Sequence, residues 1–140
     1  MKPRKFHNLR LNQVTLGAPD MAASVRFYQK LGLKLIVDSA PRYVRFEFPQ
    51  PGQGEPATLS LHETASDWQA ADGPLIYFEV DDLDAYLKDI GLTPLALPKT
   101  QTYLWREADI LDPAGNRIRL FQAGDNRRYP PWRVQDGIKT

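Results

Sequence analysis

The chain reads as an α+β protein built from a strand-helix-strand-strand-strand unit used twice, and two observations carry that reading. The first is an internal duplication. Leu11-Asn12-Gln13-Val14-Thr15-Leu16 runs through Pro19-Asp20 into an apolar-periodic segment ending at Leu31-Gly32-Leu33, and Leu75-Ile76-Tyr77-Phe78-Glu79-Val80 runs through Asp81-Asp82 into one ending at Ile90-Gly91-Leu92. The second is periodicity, which changes from 2 to 3.6 residues at the same place in each half. A unit of this size cannot bury its sheet alone, so two copies are expected to make up one fold.

Each element has a local reason. Ala22, Val25, Tyr28 and Leu31 form one helical stripe, and Leu83, Tyr86, Leu87 and Ile90 form another at i, i+3, i+4, i+7. Asp20 and Asp82 are N-cap residues by type and position, and Gly32 and Gly91 supply the left-handed residue that ends a helix. Alternating polarity marks strands over residues 43–48, 57–62, 103–110 and 117–122. Residues 49–56, with two glycines and three prolines, form the turn between the third and fourth strands. Residues 66–74 link the halves, and Asp112-Pro113-Ala114-Gly115-Asn116 turns the chain into the last strand.

Composition narrows the function. With 140 residues and 42% hydrophobic content, a single domain with its own core is expected. Eighteen basic against seventeen acidic residues, net +1, leave no electrostatic case for nucleic acid or a membrane surface as partner. The absence of cysteine excludes disulfides, thiolate metal sites and a thiol nucleophile, and fits a cytoplasmic protein. No run reaches the ~18 apolar residues of a membrane span, and Met1-Lys2-Pro3-Arg4-Lys5 leads into Phe6-His7-Asn8 rather than an apolar signal core.

Strand alternation then sorts side chains by face. Val14 and Leu16, and Ile76, Phe78 and Val80, suit packing against the helices. The far faces carry Gln13, Thr15, Ser60, His62, Tyr77, Glu79 and Arg119, too polar for a dry core, and are expected to line a cavity.

The duplicated pattern, the segment Pro19-Asp20…Ser24…Phe27-Tyr28…Leu31-Gly32-Leu33 and the Asp112-Pro113-Ala114-Gly115-Asn116 turn resemble the vicinal oxygen chelate superfamily. That superfamily includes lactoylglutathione lyases, extradiol dioxygenases, epimerases, fosfomycin-resistance enzymes and bleomycin-resistance proteins. The resemblance covers residues 9–124. It implies paired βαβββ modules, here residues 9–65 and 74–124, forming an incomplete barrel around a small-molecule cavity, often in a homodimer.

In metal-dependent members of that family the ligands are His, Gln or Glu on the first, fourth, fifth and eighth strands. Those positions fall on Gln13, on Ser60 (or His62 if the register slips by two), on Leu75 and on Arg119. Leucine has no donor atom and a guanidinium cannot coordinate a cation, whereas a catalytic metal needs about three protein ligands. The expectation is therefore no metal and no cofactor.

Other roles remain open at this level. Arg119 either grips a ligand carboxylate or phosphate or is tied up by Glu79 or Glu47; Arg45 has the weaker claim because the third strand could be an edge. His62 is either a general base or a loop-end histidine, and Glu79 either a cavity acid or a solvated strand end. Tyr77, Trp105 and Phe121 either stack on a flat ligand or pack among themselves. Residues 125–140 contain Tyr129-Pro130-Pro131-Trp132, whose prolines and aromatics suit an extension docked on the body.

The favoured function is a metal-independent binder of a small anionic or aromatic molecule, resembling bleomycin-resistance proteins. The alternative is a lyase, isomerase or dioxygenase using unconventional ligands such as Gln13, His62 and Glu79.

Overall fold

A computed structural model of the chain describes residues 9–49, 54–71 and 73–134. Outside the described residues lie the N-terminal segment 1–8, the middle of the 49–56 turn, position 72 of the linker and the last part of the C-terminal extension. The element order is β1 (Gln13–Ala18), α1 (Met21–Leu31), β2 (Lys34–Ser39), β3 (Tyr43–Glu47) and β4 (Thr58–Glu63), then β5 (Ile76–Glu79), α2 (Leu83–Ile90), β6 (Lys99–Thr100), β7 (Arg106–Leu111) and β8 (Arg117–Gln122). This is the expected α+β pattern, βαβββ twice. The strands make two four-stranded sheets, ordered β1-β4-β3-β2 and β5-β8-β7-β6. The chain divides into compact units at Trp68 and Gln69, inside the expected linker.

In the first module β1 pairs parallel with β4, while β4–β3 and β3–β2 are antiparallel. A parallel pair needs a long crossover, and α1 with the β2–β3 hairpin provides it. Asp20 caps α1, its Oδ1 accepting from Ala23 N at 3.1 Å, and Gly32 ends it at φ 110°. The buried stripe of α1 is Met21, Ser24, Tyr28 and Leu31, with Val25 half-buried. Ala22, expected in that stripe, is exposed, because the buried positions Met21, Ser24, Tyr28 and Leu31 recur at helical spacing and leave position 22 to one side of that face. Tyr28 reaches Phe46 of β3, ring centroids 5.8 Å apart, above Leu16, Val44, Leu59 and Leu61.

The second module repeats the arrangement. Asp82 Oδ1 accepts from Ala85 N at 3.1 Å, and Gly91 closes α2 at φ 64°. Leu83 and Leu87 face Phe78, Ile110, Ile118 and Leu120 in the core. Leu83 N also donates to Gln122 Oε1 at 2.9 Å, tying the start of the helix to β8.

Strand ends differ from expectation where turns intervene. Pairing of β1 with β4 runs two residues past Leu16, to Ala18 opposite Glu63. The strand expected over 103–110 begins only at Arg106, because Leu104 N bonds Gln101 O and Leu104 sits at φ 75° in the hairpin turn from β6. Tyr103-Leu104-Trp105 is an apolar, aromatic run of strand-like composition, and that composition continues across the turn. At the other end of β7, Asp112 is buried and its Oδ1 accepts from Ala114 N and Asn116 N, which shapes the turn into β8.

Candidate functional site

Register assigns the faces. In the first module Thr15, Ser60 and Arg45 lie side by side across β1, β4 and β3 on the face away from α1. The neighbouring rows are Gln13, Thr58 and Glu47, and Gly17, His62 and Tyr43. Ser60 is fully buried, and its hydroxyl lies 2.6 Å from Thr15 Oγ1 while accepting from Gln13 Nε2 at 3.2 Å. Thr58 Oγ1 donates to Gln13 Oε1 at 3.0 Å. Gln13, Thr15 and Ser60, expected together from the sequence, thus form one hydrogen-bonded group. His62 is exposed at the edge of the same face, beside Gly17 and Tyr43.

A Cβ on Gly17 would sit 2.7 Å from the indole of Trp68. Trp68 therefore lies against the backbone of Gly17, on the far face of the sheet. The sequence reading placed Trp68 in a linker and missed this; the signal was a glycine at an outward position of an otherwise regular strand, which marks close approach of another group.

In the second module the far-face rows are Tyr77, Arg119 and Asp109, then Glu79, Phe121 and Glu107. Arg119 Nε and Nη2 donate to the two carboxylate oxygens of Asp109 at 2.7 and 2.9 Å, and Nη1 donates to the Tyr77 hydroxyl at 3.3 Å. Glu107 stands 3.7 Å from Arg119, and Arg117 makes a 2.7 Å ion pair with Asp109. Arg119 is thus held by β7, whereas Glu79 pairs with Arg127 at 3.0 Å. The hydrogen bonds from Arg119 hold the Asp109 carboxyl below the usual carboxylate range against the opposing effect of burial, and the same contact raises the pKa of Arg119. Sequence reasoning missed Asp109 and Glu107 as partners. The turn contained the information: counting three residues outward from Asp112 and Asn116 meets Asp109 and Arg119.

Aromatic rings cover the rest of this face. Trp105 stacks on Phe121 with centroids 4.5 Å apart and planes at 14°, and Tyr77 meets both rings edge-on. Tyr77 is 43% exposed and Phe121 is buried, so the cluster has one packed side and one wet side. Tyr103 donates to Glu107 at 2.7 Å; burial, reinforced by that carboxylate, pushes its phenol up to about 12. Trp105 Nε1 donates to Asn126 O at 3.1 Å, which ties the start of the C-terminal extension to this cluster. Tyr129 and Trp132 themselves are more than half exposed. Tyr129 carries Arg128 and Arg133 against its ring, at 5.2 and 4.6 Å. An open cleft of about 500 Å³ lies next to Arg119, lined in part by Leu75, Asn116 and Arg117.

Two βαβββ modules with polar and aromatic far faces define the vicinal-oxygen-chelate class of protein. The chain belongs to the Glyoxalase/Bleomycin resistance protein/Dioxygenase superfamily, whose model matches residues 10–120. Among solved structures it is similar to a bleomycin resistance determinant encoded on transposon Tn5, with TM-score 0.65 and 18% identity over 82% of this chain and 98% of that one. A bleomycin-binding protein solved with bleomycin bound has TM-score 0.61 and 21% identity over 82% and 98%. A lactoylglutathione lyase from Agrobacterium tumefaciens has TM-score 0.60 and 19% identity over 81% and 92%. At these identities the likeness is one of fold. No curated protein matches the chain significantly.

The residues present do not fit the metal of the superfamily's metal-dependent members. Leu75 has no donor, Arg119 is a cation bound to Asp109, and Ser60 Oγ is buried against Thr15 and Gln13. Among the described residues no group of three or more His, Cys, Asp or Glu side chains could hold a metal ion. Nor is any helix among them long and apolar enough to cross a membrane.

Proposed function

We propose that this protein binds a small organic molecule on its polar and aromatic sheet faces, without the metal used elsewhere in the superfamily. One observation carries the reading: the position where a family carboxylate would hold a metal is Arg119, and that cation is already neutralised by Asp109 and Glu107. A guanidinium engaged in this way has little left for a ligand anion, so the second module favours the aromatic member of the anionic-or-aromatic pair. The Tyr77–Trp105–Phe121 cluster, packed behind and wet in front, supports it. Glu79, taken up by Arg127, serves to position the extension; His62, exposed at a strand end, and Gln13, Thr15 and Ser60 complete the first module's binding face.

The test joins metal analysis of the purified protein to calorimetry with bleomycin and smaller flat aromatic compounds. Sub-stoichiometric metal together with saturable binding that weakens in Trp105→Ala is the expected result. Stoichiometric metal lost in Gln13→Ala or His62→Ala would overturn the reading in favour of a metal-dependent lyase, isomerase or dioxygenase. The same proposal includes a homodimer, supported by the exposed Leu9, Leu11 and Leu97 and checked by sedimentation equilibrium. It also includes a cytoplasmic setting, supported by the absence of cysteine.

A further inference from the structure

The duplication places Arg45 and Asp109 at matching points. In the first module the middle far-face row is Thr15, Ser60 and Arg45; in the second it is Tyr77, Arg119 and Asp109. Where the second module sets an acid opposite its arginine, the first sets a serine opposite Arg45. The third strand is not an edge, since β3 lies between β4 and β2, so the ground for discounting Arg45 falls away.

Arg45 is half-buried, and among the described residues no carboxylate lies within ion-pair distance of it. Glu47, two residues along on the same face, is no exception. Arginine stays charged at any relevant pH, and a half-buried charge without a counter-ion is unfavourable unless something supplies one. The guanidinium is also oriented. Its Nε donates to the Tyr43 hydroxyl at 3.0 Å, and its Cζ stands 5.5 Å from the centre of that ring. This contact uses Nε and leaves the two-nitrogen edge, the part that matches the two oxygens of a carboxylate or phosphonate. Because Tyr43 accepts from Arg45, its own hydrogen remains available to donate.

The surroundings favour negative charge. Burial raises the Tyr43 pKa, but the neighbouring polar groups of Ser60, Arg45 and Gln13 outweigh it and the net shift is downward. Trp68, flat against Gly17, occupies the row of Tyr43 and His62 on the same face. A cation and a phenol on β3 and an indole over β1 thus share one face of one module.

We propose that the far face of the first module is an oxyanion site, in which Arg45 and Tyr43 hold the carboxylate or phosphonate of an aromatic ligand whose ring lies along Trp68. The proposal rests on the small-molecule-binding reading above and adds the anionic group and its partner.

The test is calorimetry on the full chain with 2-naphthoate, 2-naphthylphosphonate and the neutral 2-naphthamide. Loss of a hydrogen bond to a charged group corresponds to about tenfold or more in affinity, so at least one anion should bind the wild type about tenfold more tightly than the amide. A preference for the phosphonate alone or for the carboxylate alone supports the site and identifies which oxyanion it takes. Arg45→Gln should bring the anions down to the amide and leave the amide unchanged, while Arg106→Gln, a surface arginine of the second module, leaves the preference intact. Tyr43→Phe should lower anion affinity alone, and it serves as the deciding variant if Arg45→Gln does not fold. Equal binding of amide and anions by the wild type, or an anion preference that survives Arg45→Gln, overturns the oxyanion site while leaving small-molecule binding in place. Failure of all three compounds to bind overturns the site as well, and the bleomycin and aromatic series then decides the broader reading separately.

Discussion

If Arg119 is a structural cation, its energy must appear as coupling to Asp109, and a double-mutant cycle measures that directly. The two hydrogen bonds are 2.7 and 2.9 Å. Unit charges ~4 Å apart at an effective dielectric of ~20 attract by ~4 kcal/mol. Two features reduce this: the Arg119 side chain is 24% exposed, and Asp109 is shared with Arg117. A coupling of about 2 kcal/mol remains, between surface and fully buried pairs. Arg119→Ala and Asp109→Ala should each cost about 2–3 kcal/mol, and the double variant about 2 kcal/mol less than their sum. The assay is guanidinium unfolding followed by tryptophan fluorescence at neutral pH. A coupling below about 0.5 kcal/mol would place the contact among solvated surface pairs and refute the argument. The pH dependence has a fixed sign. Asp109 has a depressed folded pKa, so its contribution is full above the unfolded value near ~3.9 and is lost as pH falls through the folded one. The wild type's advantage over Arg119→Ala should therefore shrink between about pH 5 and pH 2.

Three further outcomes follow from single contacts. Gly17→Ala forces a methyl to within 2.7 Å of Trp68, so it should displace the indole, shift the fluorescence spectrum and cost about 1–3 kcal/mol; unchanged emission and melting would show that the close approach is not real. Ser24 is fully buried in α1 and its hydroxyl has no hydrogen-bond partner among the described residues, so Ser24→Ala should stabilise by about 1 kcal/mol in thermal unfolding, and a loss of stability would mean the hydroxyl is satisfied. Tyr103 ionises only at about 12, so ultraviolet titration should show one late tyrosine that disappears in Tyr103→Phe and moves to lower pH in Glu107→Gln; titration of Tyr103 with the other tyrosines would contradict its hydrogen bond to Glu107.

Much of the fold was legible locally. Asp20 and Asp82, Gly32 and Gly91 are short-range signals, and each sits where its chemistry placed it. The facing of Gln13, Thr15 and Ser60 followed from the two-residue period of a strand and survives as a hydrogen-bonded group. Strand ends were less legible, as at residues 103–105, because the strand-like composition of Tyr103-Leu104-Trp105 does not stop when the backbone turns. The partners of Arg119 were missed for a different reason. Glu79 and Glu47 were weighed as far-face acids, whereas Asp109 becomes a neighbour only when the hairpin register is counted from the turn.

By itself the sequence determined the duplicated βαβββ pattern, the superfamily, and a donor set unsuited to a metal, since these depend on residue type and on spacing within one element. Tertiary structure alone decided which arginine is paired with a carboxylate and which, among the described residues, is not. Arg119 and Arg45 are the same residue type on equivalent faces, and they differ in what the adjacent strand brings opposite them: Asp109 in one sheet, Ser60 in the other. Pair electrostatics fall off steeply with distance, so a cation's role is settled by the neighbour across the sheet rather than by its place along the chain.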